Sequence, residues 1–455
     1  MRPVRVSIWY PAANRTSGQS MRYRDYVRFS APNKYFARLN TALESRDTTS
    51  WKNAFKGAEN LYPELLAQAV FARRDAAPAT GAFPLVVYSE GWNSSSQNDN
   101  SVLAEFLASN GYVVASVPQV GTSASALALG INPVDLETQM RDVELAMVTA
   151  QSQRFVDRRK LAAMGWSMGG VVSLWLAARN PNIDAVIGLD PSFAAAQWKS
   201  LVLVSPYFDI WQIRAPLLTL QSGNSRFTSG QDPGVIDSLH FAERYTARVG
   251  RITHGDFSDF AMVARLFPVH LEDRSATDAS EGHVAVARTV LAFLDATLKG
   301  RSTALSIMVD QPAPRDSLIR LARVSAANVP DESEWTAMLA SLGFAATVDR
   351  LRQLQRTYPS LEIIRYGQFN RQGYALRDQG KTDLAIAVFS LNAEAHQSLA
   401  DAYDSLADGY IAKGDVVGAR RAYQHVLALL DGDKSLSESS KADYRSRAEG
   451  YLRNH

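Results

Sequence analysis

The stretch Gly165-Trp166-Ser167-Met168-Gly169-Gly170 is the part of the chain best equipped for chemistry. A serine with glycine two residues before and two after fits a sharp strand-to-helix turn, where larger side chains would collide with the flanking elements. The pattern is short enough to arise by chance, so its surroundings decide. An apolar run ending at Met164 leads in, and the helix-like segment Val171 to Ala178 leads out. That context predicts a serine nucleophile displayed at a helix N-terminus, with the Met168 N–H aimed at the charge developing on a substrate.

A serine hydroxyl attacks efficiently only when a base takes its proton. The histidines are His240, His254, His270, His283, His396, His425 and His455. The last three lie in the C-terminal part, His240 and His283 sit in helix-like text, and His270 follows a Phe-Pro turn. His254 comes two residues after a strand-like run ending at Ile252, in a loop placed as catalytic loops are in open parallel sheets. The base must be oriented by an acid. Asp190 directly follows the run Ala185 to Leu189, and 190 − 167 places it 23 residues after the serine. The end of the next strand, Gln221 to Arg226, offers no carboxylate. Asp232 lies twelve residues beyond Leu220, and Asp256 and Asp259 are close to His254 along the chain. The expected triad is Ser167, Asp190 and His254. A second oxyanion donor should come from the loop Ser89-Glu90-Gly91-Trp92, where Gly91 lets the backbone turn closely and Trp92 offers its N–H beside that of Met168. Trp92, Trp166, Tyr207, Phe208, Trp211 and Phe257 would suit an apolar pocket, and each would serve equally well in a core.

These residues need a scaffold. Short β-branched runs at 83–88, 112–117, 161–164, 185–189, 216–220 and 247–252 alternate with amphipathic stretches such as 134–151 and 168–179. This cadence predicts an α/β domain over about 1–300, with a mostly parallel sheet covered on both faces. The opening run Val4 to Tyr10 alternates like a strand. Residues 21–74 are aromatic-rich without a clear strand and read as an insertion or cap. Beyond Gly300 the strand signal fades into a linker, 301–330, containing Gln311-Pro312-Ala313-Pro314. A helical domain, 331–455, opens with a capping box formed by Asp331 and Glu334. Gly373, Leu376, Gly380, Ala385 and Phe389 recur as Ala407, Tyr410, Gly414, Ala419 and Tyr423, each at an offset of 34. This part resembles tetratricopeptide repeats (about 366–435), in which small residues let paired helices approach. A last helix near 441–452 would cap them, and no proline closes either unit.

Taken together, the opening strand Val6 to Pro11, the Phe83-Pro84 strand with its Gly turn, Gly165 to Gly170, the aspartate on the strand after the nucleophile's and the His254 segment with Phe257 and Asp259 resemble one branch of the α/β-hydrolases. It is the platelet-activating-factor acetylhydrolase branch, close to dienelactone-hydrolase-like esterases. The resemblance covers about 1–300 and implies an α/β-hydrolase fold and a cofactor-free serine hydrolase without a metal. Such an enzyme cleaves carboxylic esters through Ser167, Asp190 and His254 in that chain order, by way of an acyl-enzyme. The departure is Glu90, where the family usually has histidine.

Composition narrows the alternatives. Among 455 residues there is no cysteine, which excludes disulfides, thiolate metal sites and cysteine nucleophiles. Forty-eight basic against 46 acidic side chains leave a net charge of +2, with no long-range pull on nucleic acid. The arginines at 2, 5, 15, 22, 24 and 28 read as a solvated face. No run of about 18 apolar residues spans a membrane. A strand pattern three residues into the chain leaves room for an upstream leader, so the compartment stays open between cytoplasm and export. The partners expected are a small-molecule ester and, through the helical repeats, a protein. The competing reading is an inactive hydrolase-like scaffold whose repeats do the work, with peptidase activity a third option.

Overall fold

Ten strands form among the described residues of the computed structural model, the central ones from valine-, isoleucine- and leucine-rich runs: β1 Ser7–Trp9, β2 Gln19–Arg22, β3 Ala69–Arg74, β4 Phe83–Ser89, β5 Val113–Val117, β6 Val156–Trp166, β7 Ala185–Leu189, β8 Leu217–Ser222, β9 Arg244–Val249 and β10 Ala322–Val324. It describes residues 3–14, 17–92, 98–121, 130–206, 208–223, 234–269, 271, 275–311 and 317–455. Tyr207, Asp232, His270 and most of the Gln311-to-Pro314 stretch lie outside the described residues. Two units are distinct, Met1–Ala327 and Asn328–His455.

In the first unit eight strands run in the order β1-β5-β4-β6-β7-β8-β9-β10. The pairs from β5 through β4, β6, β7 and β8 to β9 are parallel, and the two edge strands β1 and β10 are antiparallel. Parallel neighbours require crossovers, which the helices between them supply. Side chains alternate across β4: Val86 and Tyr88 join a core with Leu103, Leu107, Val290 and Phe293 on one face. Leu85 and Val87 join another with Leu136, Val143, Val171 and Trp175 on the opposite face. This is an α/β-hydrolase fold: a mostly parallel sheet sandwiched between helices, followed in sequence by an all-helical unit.

Two segments differ from the sequence expectation. Residues 21–74 carry the long helix Lys34–Phe55 and strand β3, which pairs antiparallel with β2 in a small separate sheet. The strands escape notice because Gln19-Ser20-Met21-Arg22 lacks β-branched residues. From this segment Tyr23, Trp51, Phe55 and Tyr62 enter the same core as Val86 and Tyr88. Of residues 301–330, expected to link, the described ones up to Ala327 belong instead to the first unit. Helix Thr303–Asp310 buries Leu305, and β10 pairs with β9 at the sheet edge.

The second unit holds helices Glu332–Leu342, Phe344–Thr357, Tyr366–Asp378, Thr382–Ala395, Ala400–Lys413, Val416–Leu429 and Glu438–Asn454. The Asp331–Glu334 capping box is formed. Helices starting at 366 and 382 are echoed by helices starting at 400 and 416, so the repeat of 34 residues is also a repeat of structure. A side chain at Gly373 would strike the Phe389 ring at 2.7 Å, so the small residue is what lets these paired helices close.

Candidate active site

Ser167 sits between β6 and helix Met168–Arg179 with φ 55° and ψ −122°, a left-handed conformation rare for a side-chain-bearing residue. Such strain costs of the order of 1–3 kcal/mol and persists only where the surroundings enforce it. They do so here through the backbone. Ser167 N–H donates to the Leu189 carbonyl at 3.0 Å, and its own carbonyl accepts from Gly170 N–H at 3.0 Å and Ser192 N–H at 2.9 Å. The serine turn is thereby fastened to the end of β7, where Asp190 stands. The two glycines are needed as expected. A Cβ on Gly165 would overlap the Gly169 carbonyl, and one on Gly169 would overlap the carbonyls of Ser89 and Glu90. Gly169→Ala is therefore expected to cost about 1–3 kcal/mol or more through overpacking against backbone that cannot yield. A lowered melting temperature and slower reaction with a fluorophosphonate would register it; an unchanged melting curve would contradict this packing.

Asp190 also has positive φ, 41°. Its N–H donates to Leu220 at 2.6 Å, which ties it to β8. Its buried carboxylate accepts from Ser222 N–H at 2.9 Å, from Ser222 Oγ at 2.8 Å, and lies 2.7 Å from His254 Nδ1. Ser222 belongs to the strand end that offers no carboxylate; its contribution is two donors that aim Asp190. A carboxylate so placed accepts a hydrogen bond from Nδ1–H, which leaves the lone pair of the neutral ring on Nε2. The His254 side chain is 23% exposed while that of Asp190 is 0%, so the ring separates a buried acid from open space.

The His254 turn is held from several sides. Trp166, the neighbour of Ser167, donates its indole N–H to the His254 carbonyl at 3.1 Å, and the two rings lie 5.2 Å apart. Asp256 accepts from Thr253 N–H at 2.7 Å, which closes the turn locally. His283 reaches the Asp256 carbonyl at 3.0 Å from helix Ala276–Lys299, and burial pushes its imidazole below the ordinary histidine range, so it stays neutral. Asp259 accepts from Ser101 Oγ and from Ser101 and Val102 N–H at 3.1 and 2.9 Å, fixing the turn to the start of helix Ser101–Ser109. Asp256 thus holds the backbone of its own turn, and Asp259 ties that turn to a helix start.

Gly91 packs close to the serine: a Cβ there would meet the Trp166 ring at 2.8 Å and Ser167 Cβ at 3.3 Å. The chain leaves this contact at Trp92, whose side chain is exposed, while Met168 is buried at the head of its helix. Phe257 is fully buried in the core; Phe208 and Trp211 are partly buried. Ser222, Trp166, His283 and Asp259 are the supporting residues that sequence reasoning missed. All four stand in segments weighed for other roles: Trp166 for a pocket, His283 as a base, Asp259 as an acid, and Ser222 in a strand end that offers no carboxylate.

No curated protein matches the chain. Among solved structures, a ferulic acid esterase from Streptomyces cinnamoneus matches with 19% identity and a TM-score of 0.49, over 71% of this chain and 89% of that one. Residues 72–208, from β3 past the serine and Asp190 but short of His254, are similar to a protein family described as PET hydrolase-like.

Proposed function

We propose that the chain is a serine hydrolase of carboxylic esters. The observation that carries this reading is the buried Asp190 carboxylate, oriented by Ser222 and 2.7 Å from His254 Nδ1, with the histidine turn bonded to the residue beside a strained Ser167. Ser167 attacks the ester carbonyl, and His254 Nε2 takes the hydroxyl proton. Asp190 holds the ring and stabilises the imidazolium. The N–H groups of Trp92 and Met168 bind the oxyanion, and loss of one such donor typically costs about 3 kcal/mol. Collapse of the tetrahedral intermediate expels the alcohol, protonated by His254. Water, activated by the same histidine, then releases the acid from the acyl-enzyme.

The similarity of residues 72–208 to PET hydrolase-like proteins supports ester substrates. The acid on the strand directly after the serine's is the most specific of the traits behind the likeness to the acetylhydrolase branch, and that likeness is what points to short acyl groups. A panel of p-nitrophenyl esters from acetyl to dodecanoyl should give the highest kcat/KM for the shortest chains. A fluorophosphonate should label the intact protein once, on the peptide containing Ser167. Labelling of a different residue, or none together with no ester hydrolysis, would refute the reading. The 34-residue helical repeats, read as tetratricopeptide-like, are the part of the chain suited to hold a protein partner.

A further inference from the structure

Glu90 directly follows β4, immediately before the Gly91-Trp92 turn, and is fully buried, yet neither carboxyl oxygen has a hydrogen bond of good geometry among the described residues. Its surroundings are acidic. Asp99 faces it from the segment before helix Ser101–Ser109, Asp259 from the turn after His254, and Asp47 from helix Lys34–Phe55; the Tyr88 hydroxyl acts on it from its own strand. Arg46, next to Asp47, is the cation of the group and interacts with Asp99 and Asp47. Burial first, and the Asp99 charge second, hold the Glu90 carboxyl well above the usual carboxylate range. Burial does the same to Asp259. An added negative charge here would be buried beside Asp99, Asp259 and Asp47. Among the described residues the one group acting in its favour is the Tyr88 hydroxyl, too little to offset desolvation.

The backbone of Glu90 does a separate job. Its carbonyl accepts from the Gln119 side-chain amide and abuts Gly169, while the next residue, Gly91, rests on Trp166 and Ser167. Asp259 N–H also donates to the Asp99 carbonyl at 2.8 Å, so the histidine turn and the segment following Trp92 meet at this acidic junction. Any displacement of Glu90 is transmitted to both.

We propose that Glu90, as an uncharged carboxylic acid, is a positioning residue that keeps the Gly91-Trp92 turn seated on the serine turn, and that its ionisation in alkaline solution unseats that turn and stops turnover. The inference rests on the hydrolase reading above, because turnover is one of its readouts. The sign follows from linkage. The folded chain keeps this proton after the unfolded chain has lost it, so the stability it contributes is full below the ordinary carboxylate range and is lost as pH rises through the raised value.

The test is the pH profile of kcat/KM for the full chain and for Glu90→Gln, Asp99→Asn and Ser167→Ala. Glutamine copies the neutral acid but cannot ionise, so the alkaline limb should vanish or move up by more than about one pH unit. Asp99→Asn removes a charge that opposes ionisation, so its limb should move down. An alkaline limb of Glu90→Gln that coincides with that of the unaltered chain overturns the proposal. Should that variant fail to fold, an unmoved limb in Asp99→Asn does the same. Infrared difference spectra supply a readout independent of catalysis. The unaltered chain minus Glu90→Gln should show the carbonyl stretch of a protonated carboxylic acid at neutral pH, fading across the alkaline limb; its absence also overturns the proposal. If Ser167→Ala hydrolyses esters as fast as the unaltered chain, the hydrolase reading has failed, and the infrared result still decides the state of Glu90.

Discussion

Ser167→Ala is expected to lower kcat for p-nitrophenyl acetate by about a millionfold and to abolish fluorophosphonate labelling, while the melting curve stays within about 1 °C. The size follows from the division of labour. With no oxygen to acylate, His254 and Asp190 have no proton to move, and only binding and the oxyanion donors remain, worth about 10³–10⁴ over water. The small effect on stability follows from what fixes the turn: backbone bonds to Leu189, Gly170 and Ser192, none of which uses the hydroxyl. Alanine meets the same positive φ that serine already tolerates. Hydrolysis within tenfold of the unaltered chain would assign the nucleophile to another residue.

The extent to which the chain announces this arrangement differs from element to element. The parallel strands β4 to β8 stand out because each contains a short, largely apolar run buried on both faces. β7 is found with the bounds read from the sequence, whereas β6 starts five residues before its apolar run, at Val156, through the charged stretch Asp157 to Lys160. β9 begins three residues earlier than its apolar run, at Arg244, because its outer pairing is with β10 rather than with a hydrophobic neighbour. β10 itself is three exposed residues, Ala322-Arg323-Val324; its pairing is decided by the edge it finds and not by its own composition. At the site, the order of serine, aspartate and histidine is visible because each follows a strand. That His254 Nδ1 meets Asp190 could be expected, whereas the two donors from Ser222 could not, since the search at that strand end was for charge. Glu90 is conspicuous in the sequence only through the resemblance to a family with histidine there. Its burial among Asp47, Asp99 and Asp259 joins segments up to 212 residues apart (259 − 47) and appears only in three dimensions.

Asp190→Asn should depress kcat by about 10⁴ at neutral pH while leaving KM and the melting temperature comparatively unaffected. The carboxylate accepts three hydrogens, two from Ser222 and one from His254. Asparagine keeps one acceptor and turns the other position into a donor. If its oxygen takes the Ser222 N–H, its NH₂ faces His254 Nδ1, and the Ser222 hydroxyl can rotate to accept the second amide hydrogen. The ring then accepts at Nδ1 and carries its proton on Nε2, so the base lone pair points away from the serine. Shape and packing survive, and only the tautomer is wrong. A purely structural Asp190 would behave in the opposite way, with lower stability and normal turnover in the molecules that remain folded. Measuring kcat and the melting curve on the same preparation separates the two. Turnover within about tenfold of the unaltered chain would remove Asp190 from the mechanism, and neither Asp256, which closes its own turn, nor Asp259, held at a helix start, could take its place without rebuilding the histidine segment.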